Sequence, residues 1–257
     1  MKAELSLLAR CTACLVLAWV ALLHAQPVAV RVPEAPARTV LALSSRDGAP
    51  LATGQLVQTV AGARVTSHLT FRFADGSIHD ETTIFSQAGV FRLLSYHLTQ
   101  SGPSFRWALD MTLDMETGRV VVRHTERDGT EEVEDEILRL PPDVSNGMMV
   151  SILKNLSPRP GRTTASFVAA TPEPRPVKLA ISAAGSEPVS LAGSGGRATH
   201  YVIKAEIGGL AGVLAPLVGK QPPDTHVWIL EGDAPSFVKS EGPLFYGGPI
   251  WRIELAR

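Results

Sequence analysis

Between Phe105 and Met115 the chain alternates without a break. Phe105, Trp107, Leu109, Met111, Leu113 and Met115 are apolar, and Arg106, Ala108, Asp110, Thr112 and Asp114 are small or polar. Successive strand side chains point to opposite faces, so this pattern makes a ribbon with one dry side and one wet side. A helix would scatter the same residues around its circumference. The pattern recurs in Val65, Leu69, Phe71 and Phe73 against Arg64, Thr66, His68, Thr70 and Arg72. Half-buried strands of this kind need neighbours for their backbone groups, which commits the chain to an antiparallel sheet.

Turn residues set the rhythm of that sheet. Asp75-Gly76, Gly89, Ser101-Gly102-Pro103, Thr117-Gly118 and Asp128-Gly129 punctuate the apolar runs. They predict strands over about Ile78–Phe85, Val90–Thr99, Arg119–Thr125 and Glu131–Leu140. Later strands are expected at Thr164–Ala170, Pro176–Ala183, Glu187–Ala192, Thr199–Ile207, His226–Leu230, Ser236–Ser240 and Pro249–Leu255. Two stretches break the alternation. Asp143–Leu156 places Val144, Met148, Met149, Ile152, Leu153 and Leu156 at helical spacing behind Pro141-Pro142, with Asp143 as the expected cap. Gly209–Val218 is apolar and small, and Pro216 would keep it short or kinked. The expected class is mainly β: a curved antiparallel sheet, or an open barrel or sandwich, with two short helices.

The N-terminus has the three parts of a secretory signal peptide over residues 1–25. Lys2 and Arg10 are basic, Cys11–Leu23 is apolar, and Leu23-His24-Ala25 ends on a small residue. The apolar run is shorter than the roughly 20 residues a membrane-spanning helix needs. The chain is therefore expected to be exported, to the periplasm or the medium. Residues 26–38, with Pro27, Pro33 and Pro36, read as a Pro-rich tether before a single mainly-β domain over residues 39–257. Both cysteines, Cys11 and Cys14, fall in the signal. The exported part is thus held by core packing without disulfides. Cleavage would take the net charge from −1 to −2, removing two basic residues and one acidic residue. That balance argues against a nucleic-acid partner, and no later apolar run is long enough to span a membrane.

Several motifs fail on their physics. Gly193-Ser194-Gly195-Gly196-Arg197-Ala198 has dinucleotide-loop spacing, but an alternating strand follows it where a helix N-terminus is required. Gly219-Lys220 lacks the earlier glycine and the following hydroxyl of a phosphate loop, Leu214 and Gln221 standing there. No serine sits in a nucleophile elbow. No metal or cofactor site is expected. His79-Asp80-Glu81 is the tight cluster of titratable residues, with His79 and Glu81 able to share a face; it reads as a polar hairpin edge. Glu131, Glu132, Glu134, Asp135 and Glu136 read as a solvated strand whose charges discourage edge pairing. Asn155-Leu156-Ser157 fits the glycosylation acceptor pattern.

What remains is large and apolar: Phe105, Trp107, Met111, Met148, Trp228 and Trp251, with Met115 and Met149 beside them. Methionine-rich, aromatic surfaces adapt to greasy ligands, and the same residues also suit an ordinary core. The order of elements is a signal, a tether, many antiparallel strands, a mid-chain helix, and a second helix before the last strands. With Phe73-Ala74-Asp75-Gly76-Ser77 and the ending Gly247-Gly248-Pro249-Ile250-Trp251, it resembles the curved half-barrels of bacterial cell-envelope proteins. These include the periplasmic lipoprotein carriers of the LolA/LolB-like group and related domains of unknown function. The resemblance implies an apolar cleft between a concave sheet and covering helices.

Three functions fit these residues. One is an exported, non-enzymatic β protein that binds a hydrophobic small molecule such as a lipid or acyl chain, with the six apolar residues lining its cleft. A second is a structural or interaction protein acting through an exposed sheet edge or loops. A third is a hydrolase with a dispersed site near His79 and Glu81.

Overall fold

The computed structural model describes residues 26–157, 161–191, 194–206 and 222–256. They form β1 (Ala37–Ser45), β2 (Pro50–Ala61), β3 (Arg64–Phe73), β4 (Ile78–Ser86), β5 (Arg92–Ser101), β6 (Ala108–Asp114), β7 (Arg119–Thr125) and β8 (Glu131–Ile137). Helix α1 (Met149–Asn155) follows, then β9 (Arg162–Ala169), β10 (Arg175–Leu191), β11 (Ser194–Glu206), β12 (Thr225–Leu230), β13 (Ser236–Pro243) and β14 (Ile250–Leu255). All fourteen of these strands join one antiparallel sheet, ordered β8 through β1, then β14 down to β9. Two meanders meet where β1 pairs β14, with Leu43 opposite Ile253. The strands at the two ends of the sheet, β8 and β9, are not bonded to each other, so the sheet is curled and not closed.

The alternation places the core as expected. Val65, Phe71 and Phe73 of β3 and Leu109, Met111 and Leu113 of β6 are buried on the inner face. The strand read from Phe105 begins only at Ala108, because Ser101-Gly102-Pro103 opens a longer turn that carries Phe105 into a different cluster. The strands expected at Pro176–Ala183 and Glu187–Ala192 are one long strand, β10, kinked where its pairing with β11 shifts between Ala183 and Gly185.

Helix α1 fills the interior, but it is half the length that the apolar spacing predicts. Its N-cap is Met148, not Asp143. Residues 143–146 instead meet β9 through a single bridge at Val144, between two turns: Ser145 N–H donates to Ser166 O (2.9 Å) and Ser166 N–H to Asp143 O (3.2 Å). Asn146, fully buried, imitates a strand residue with its side chain, its Nδ2 donating to Val168 O (2.9 Å) and its Oδ1 accepting from Val168 N–H (2.8 Å). Gly147 then turns at φ 68°, and the helix starts. The backbone thus spends its hydrogen bonds on a sheet edge rather than on two helical turns. The second expected helix, Gly209–Val218, lies outside the described residues.

Seven helical residues are too few to be stable alone, so tertiary packing holds α1. Ile152 faces the cluster of Val65, Phe85, Met111 and Val122, and Leu153 faces Ile181, Tyr201 and Val227. Each of these buried side chains contributes about 1.5–3 kcal/mol. The stretch read as a tether is extended but docked. Arg31 N–H and Val32 N–H both donate to Asn155 Oδ1 (2.7 Å each), and Lys154 pairs with Glu34 at 2.7 Å. Asn155 is 2% exposed, and its Nδ2 donates to Val32 O and Ser151 O. The glycosylation reading is therefore corrected: a buried amide with both ends engaged presents no acceptor.

The Asn146 clamp carries a prediction. Asn146→Ala strands the buried N–H and C=O of Val168 and is expected to destabilise the protein by about 2–4 kcal/mol. Chemical denaturation measures it, and a loss below about 0.5 kcal/mol would show the clamp to be dispensable.

Candidate functional site

The six apolar residues singled out by size do not converge on one place. Phe105 and Trp251 belong to one interior cluster, linked through Phe73 and Phe245 with ring centroids 5.3–5.7 Å apart. Met111 and Met148 are buried in a second cluster, with Trp107 partly buried against it and edge-on to His124 at 5.4 Å. Trp228 lies on the outer face. It stacks on His200 at 4.3 Å, its Nε1–H donates to Glu187 (3.1 Å), and the Lys239 ammonium sits 4.1 Å from its ring centroid. These side chains pack against protein in three separate places.

The cluster His79-Asp80-Glu81 is not a hairpin edge. Strand β4 is interior to the sheet, paired on both sides, and it sends His79 and Glu81 inward while Asp80 points out to His68 (2.9 Å) and Thr70 (2.8 Å). A polar row therefore crosses the apolar interior: His79, Glu81 and Thr83 on β4, and Tyr96 and Gln100 on β5. Gln100 Nε2 donates to His79 Nδ1 (2.9 Å), and Tyr96 O–H donates to Glu81 Oε2 (2.9 Å). His79 Nε2 and Thr83 Oγ1 are buried without a partner among the described residues. Burial pushes the His79 imidazole down to about 4, against a small opposing effect of Asp80. Glu81 keeps a narrow solvent-accessible margin, yet protein encloses it deeply enough that desolvation pushes its carboxyl up to about 7. The Tyr96 hydrogen bond opposes this rise. The Tyr96 hydroxyl is itself pushed well above its ordinary value by the same burial and by the nearby carboxylate.

The concavity with a ligand's chemistry lies elsewhere. A cleft of about 350 Å³ opens between the C-terminal end of α1 and the inner face of β9–β11. Leu156, Ile181 and Ala183 line it with apolar surface, and Thr163 of β9 lies directly opposite Ile181 of β10. Tyr201 of β11, opposite Ala183, is 3% exposed and also lines it. Its hydroxyl has no hydrogen-bond partner among the described residues, and burial raises its pKa. Arg31 and Arg162 stand at the rim. Arg162 is paired with Glu206, whereas the Arg31 guanidinium makes no ion pair among the described residues. The described lining includes neither imidazole nor carboxylate. A larger concavity of about 580 Å³ lies on the outer face over β4–β7, lined by Thr82, Ile84, His97, Thr112, Val121 and neighbours.

Size alone did not point to this cleft because its residues come from five segments between positions 31 and 201. One trace was legible: Arg31 interrupts an apolar stretch between Val30 and Val32.

No protein-family model matches the chain, and no curated protein matches it. Among solved structures, the chain is similar to a β-barrel-like protein of a domain of unknown function, DUF1849, from Brucella abortus. The two share 11% identity over 88% of this chain and 98% of that one, with a TM-score of 0.47.

Proposed function

We propose that this is an exported binding protein for an anionic amphiphile, an acyl chain bearing an acidic head group, held in the cleft between α1 and β9–β11. The observation that carries the reading is a mixed lining, in which apolar side chains lie beside polar groups and a cationic rim. Leu156, Ile181 and Ala183 offer the tail apolar contacts, and Arg31 offers the head a guanidinium that no described carboxylate neutralises. A volume of about 350 Å³ falls at the small end of ligand pockets, which suits a single chain. The Tyr201 hydroxyl supplies a polar contact part-way in. The basic and then apolar opening, Lys2 to Leu23, supports export to the cell envelope or the medium.

Dodecanoate titrated into the purified protein, followed by native mass spectrometry and calorimetry, tests the reading. One dodecanoate is expected per chain. Ala183→Trp fills the cleft and is expected to weaken binding about tenfold or more. Arg31→Glu is expected to weaken dodecanoate while leaving the neutral analogue dodecanol unchanged. Binding that ignores both substitutions, in proteins whose circular dichroism is unaltered, would overturn the assignment.

A further inference from the structure

The two ends of the sheet are treated differently. Strand β9 is capped at Ser166 and Val168 by residues 143–146, through Ser145, Asp143 and the Asn146 side chain. Strand β8 is bonded to β7 on one side, and among the described residues no strand covers the other. We propose that the open side of β8 is a docking edge for an extended segment of another protein. That segment carries basic residues at alternate positions and apolar residues between them.

The register specifies this chemistry. Leu138 N–H donates to Gly118 O, and Glu126 N–H to Thr130 O, at 2.9 Å each. Narrow pairs recur every second residue in an antiparallel ladder, so Glu132, Glu134 and Glu136 turn their backbone groups toward β7. Glu131, Val133, Asp135 and Ile137 turn theirs outward, away from the ladder. Side chains divide in the same way. Val133 and Ile137 lie on the outer face and are 46% and 79% exposed. The outer carboxylates beside them are already neutralised: Glu131 by Arg123 (3.1 Å) and Asp135 by Arg119 (2.5 Å). On the inner face Glu132, Glu134 and Glu136 have no ion pair among the described residues. The basic candidate nearest in register is His124, directly opposite Glu132. It is 3% exposed, both its ring nitrogens lack a hydrogen-bond partner among the described residues, and burial lowers its pKa against the pull of Glu132, Glu126 and Glu134. Three carboxylates in a row therefore lack a cation among the described residues.

An added strand would complete all of this together. Its backbone would satisfy the outward groups of residues 131, 133, 135 and 137. Its outward side chains would lie beside Val133 and Ile137, and its inward side chains beside the three glutamates. The same charges reject a second copy of this chain, whose β8 would bring like charges face to face.

The test uses the purified protein and a short peptide alternating lysine and valine, with an alternating glutamate and valine peptide as control. Fluorescence anisotropy reads affinity, and amide exchange reads Val133, Asp135 and Ile137. The lysine peptide is expected to bind, to slow exchange at those three amides, and to weaken as salt is raised. Val133→Pro removes one outward donor and leaves the β7 ladder intact. It is expected to weaken the lysine peptide about tenfold or more. The triple change of Glu132, Glu134 and Glu136 to lysine is expected to transfer preference to the glutamate peptide. Equal binding of both peptides, unchanged affinity in Val133→Pro, protection elsewhere on the sheet, or self-association through β8 would each overturn the proposal.

Discussion

Glu81→Gln is expected to stabilise the protein by about 3 kcal/mol above about pH 8 and to give it a stability that climbs with pH between about 4 and 6.5. Proton linkage at two buried neighbours produces this. Glu81 titrates near 7 in the folded state against 4.5 ordinarily, burial being the largest cause. The folded protein holds a proton that the unfolded chain releases, so this group's contribution falls as pH rises through that window and is lost above it. His79 behaves oppositely. It titrates near 4 against 6.5, again through burial. The unfolded chain takes a proton the folded state refuses, so its contribution rises with pH and is lost as pH falls toward 4. Each displacement corresponds to about 3 kcal/mol.

Where the windows overlap the slopes have opposite sign, and the unaltered protein should be nearly indifferent to pH. Glu81→Gln keeps an acceptor for the Tyr96 hydroxyl, removes the falling limb and exposes the rising one. His79→Gln does the reverse. Urea denaturation at several pH values reads both, and an unaltered profile in Glu81→Gln would show that the carboxyl is not held protonated by its surroundings.

Gly147→Val is expected to destabilise the protein by about 4 kcal/mol or more, or to prevent folding. Two effects add. At φ 68° an L side chain is disfavoured by about 1–2 kcal/mol. The larger effect is steric: a Cβ here would stand 1.8 Å from Thr83 Oγ1 and 3.0 Å from Glu81 Oε1. Thr83 is 1% exposed on an interior strand and has little room to yield, so residues 143–148 would lift from the sheet. Val144 and Met148 would leave the core with them. Gly129→Val separates the two effects. Gly129 has φ 89°, and a Cβ added there would meet nothing within 4 Å, so it should lose only the conformational part, about 1–2 kcal/mol. Equal losses at the two glycines, measured by denaturation, would mean that the close approach to β4 does not matter.

Both predictions concern residues that local pattern described poorly, and the reason is the same. The sequence by itself determined the class of fold, because period-two alternation in Val65–Phe73 and Leu109–Leu113 is a local property: it needs only neighbours to say which side chains turn inward. It also marked most hairpins, since Asp75-Gly76 and Asp128-Gly129 carry their turn chemistry with them. It allowed His79 and Glu81 to share a face. Alternation is silent about what lies across a sheet, however. Only the tertiary structure decided that β4 is interior, which turns a polar pair into one with displaced titration. The same is true of residues 143–146, whose helical spacing lost to the edge of β9, where Ser145, Asp143 and the Asn146 side chain bond the backbone of Ser166 and Val168. Arg31, Ile181 and Tyr201 meet at one cleft because the curled sheet brings β9–β11 and the N-terminal segment against a seven-residue helix, and among the described residues only the β9 end of the sheet is capped. Faces are fixed by the period of a strand, whereas neighbours are fixed by how a long sheet curls, and that depends on every pairing at once.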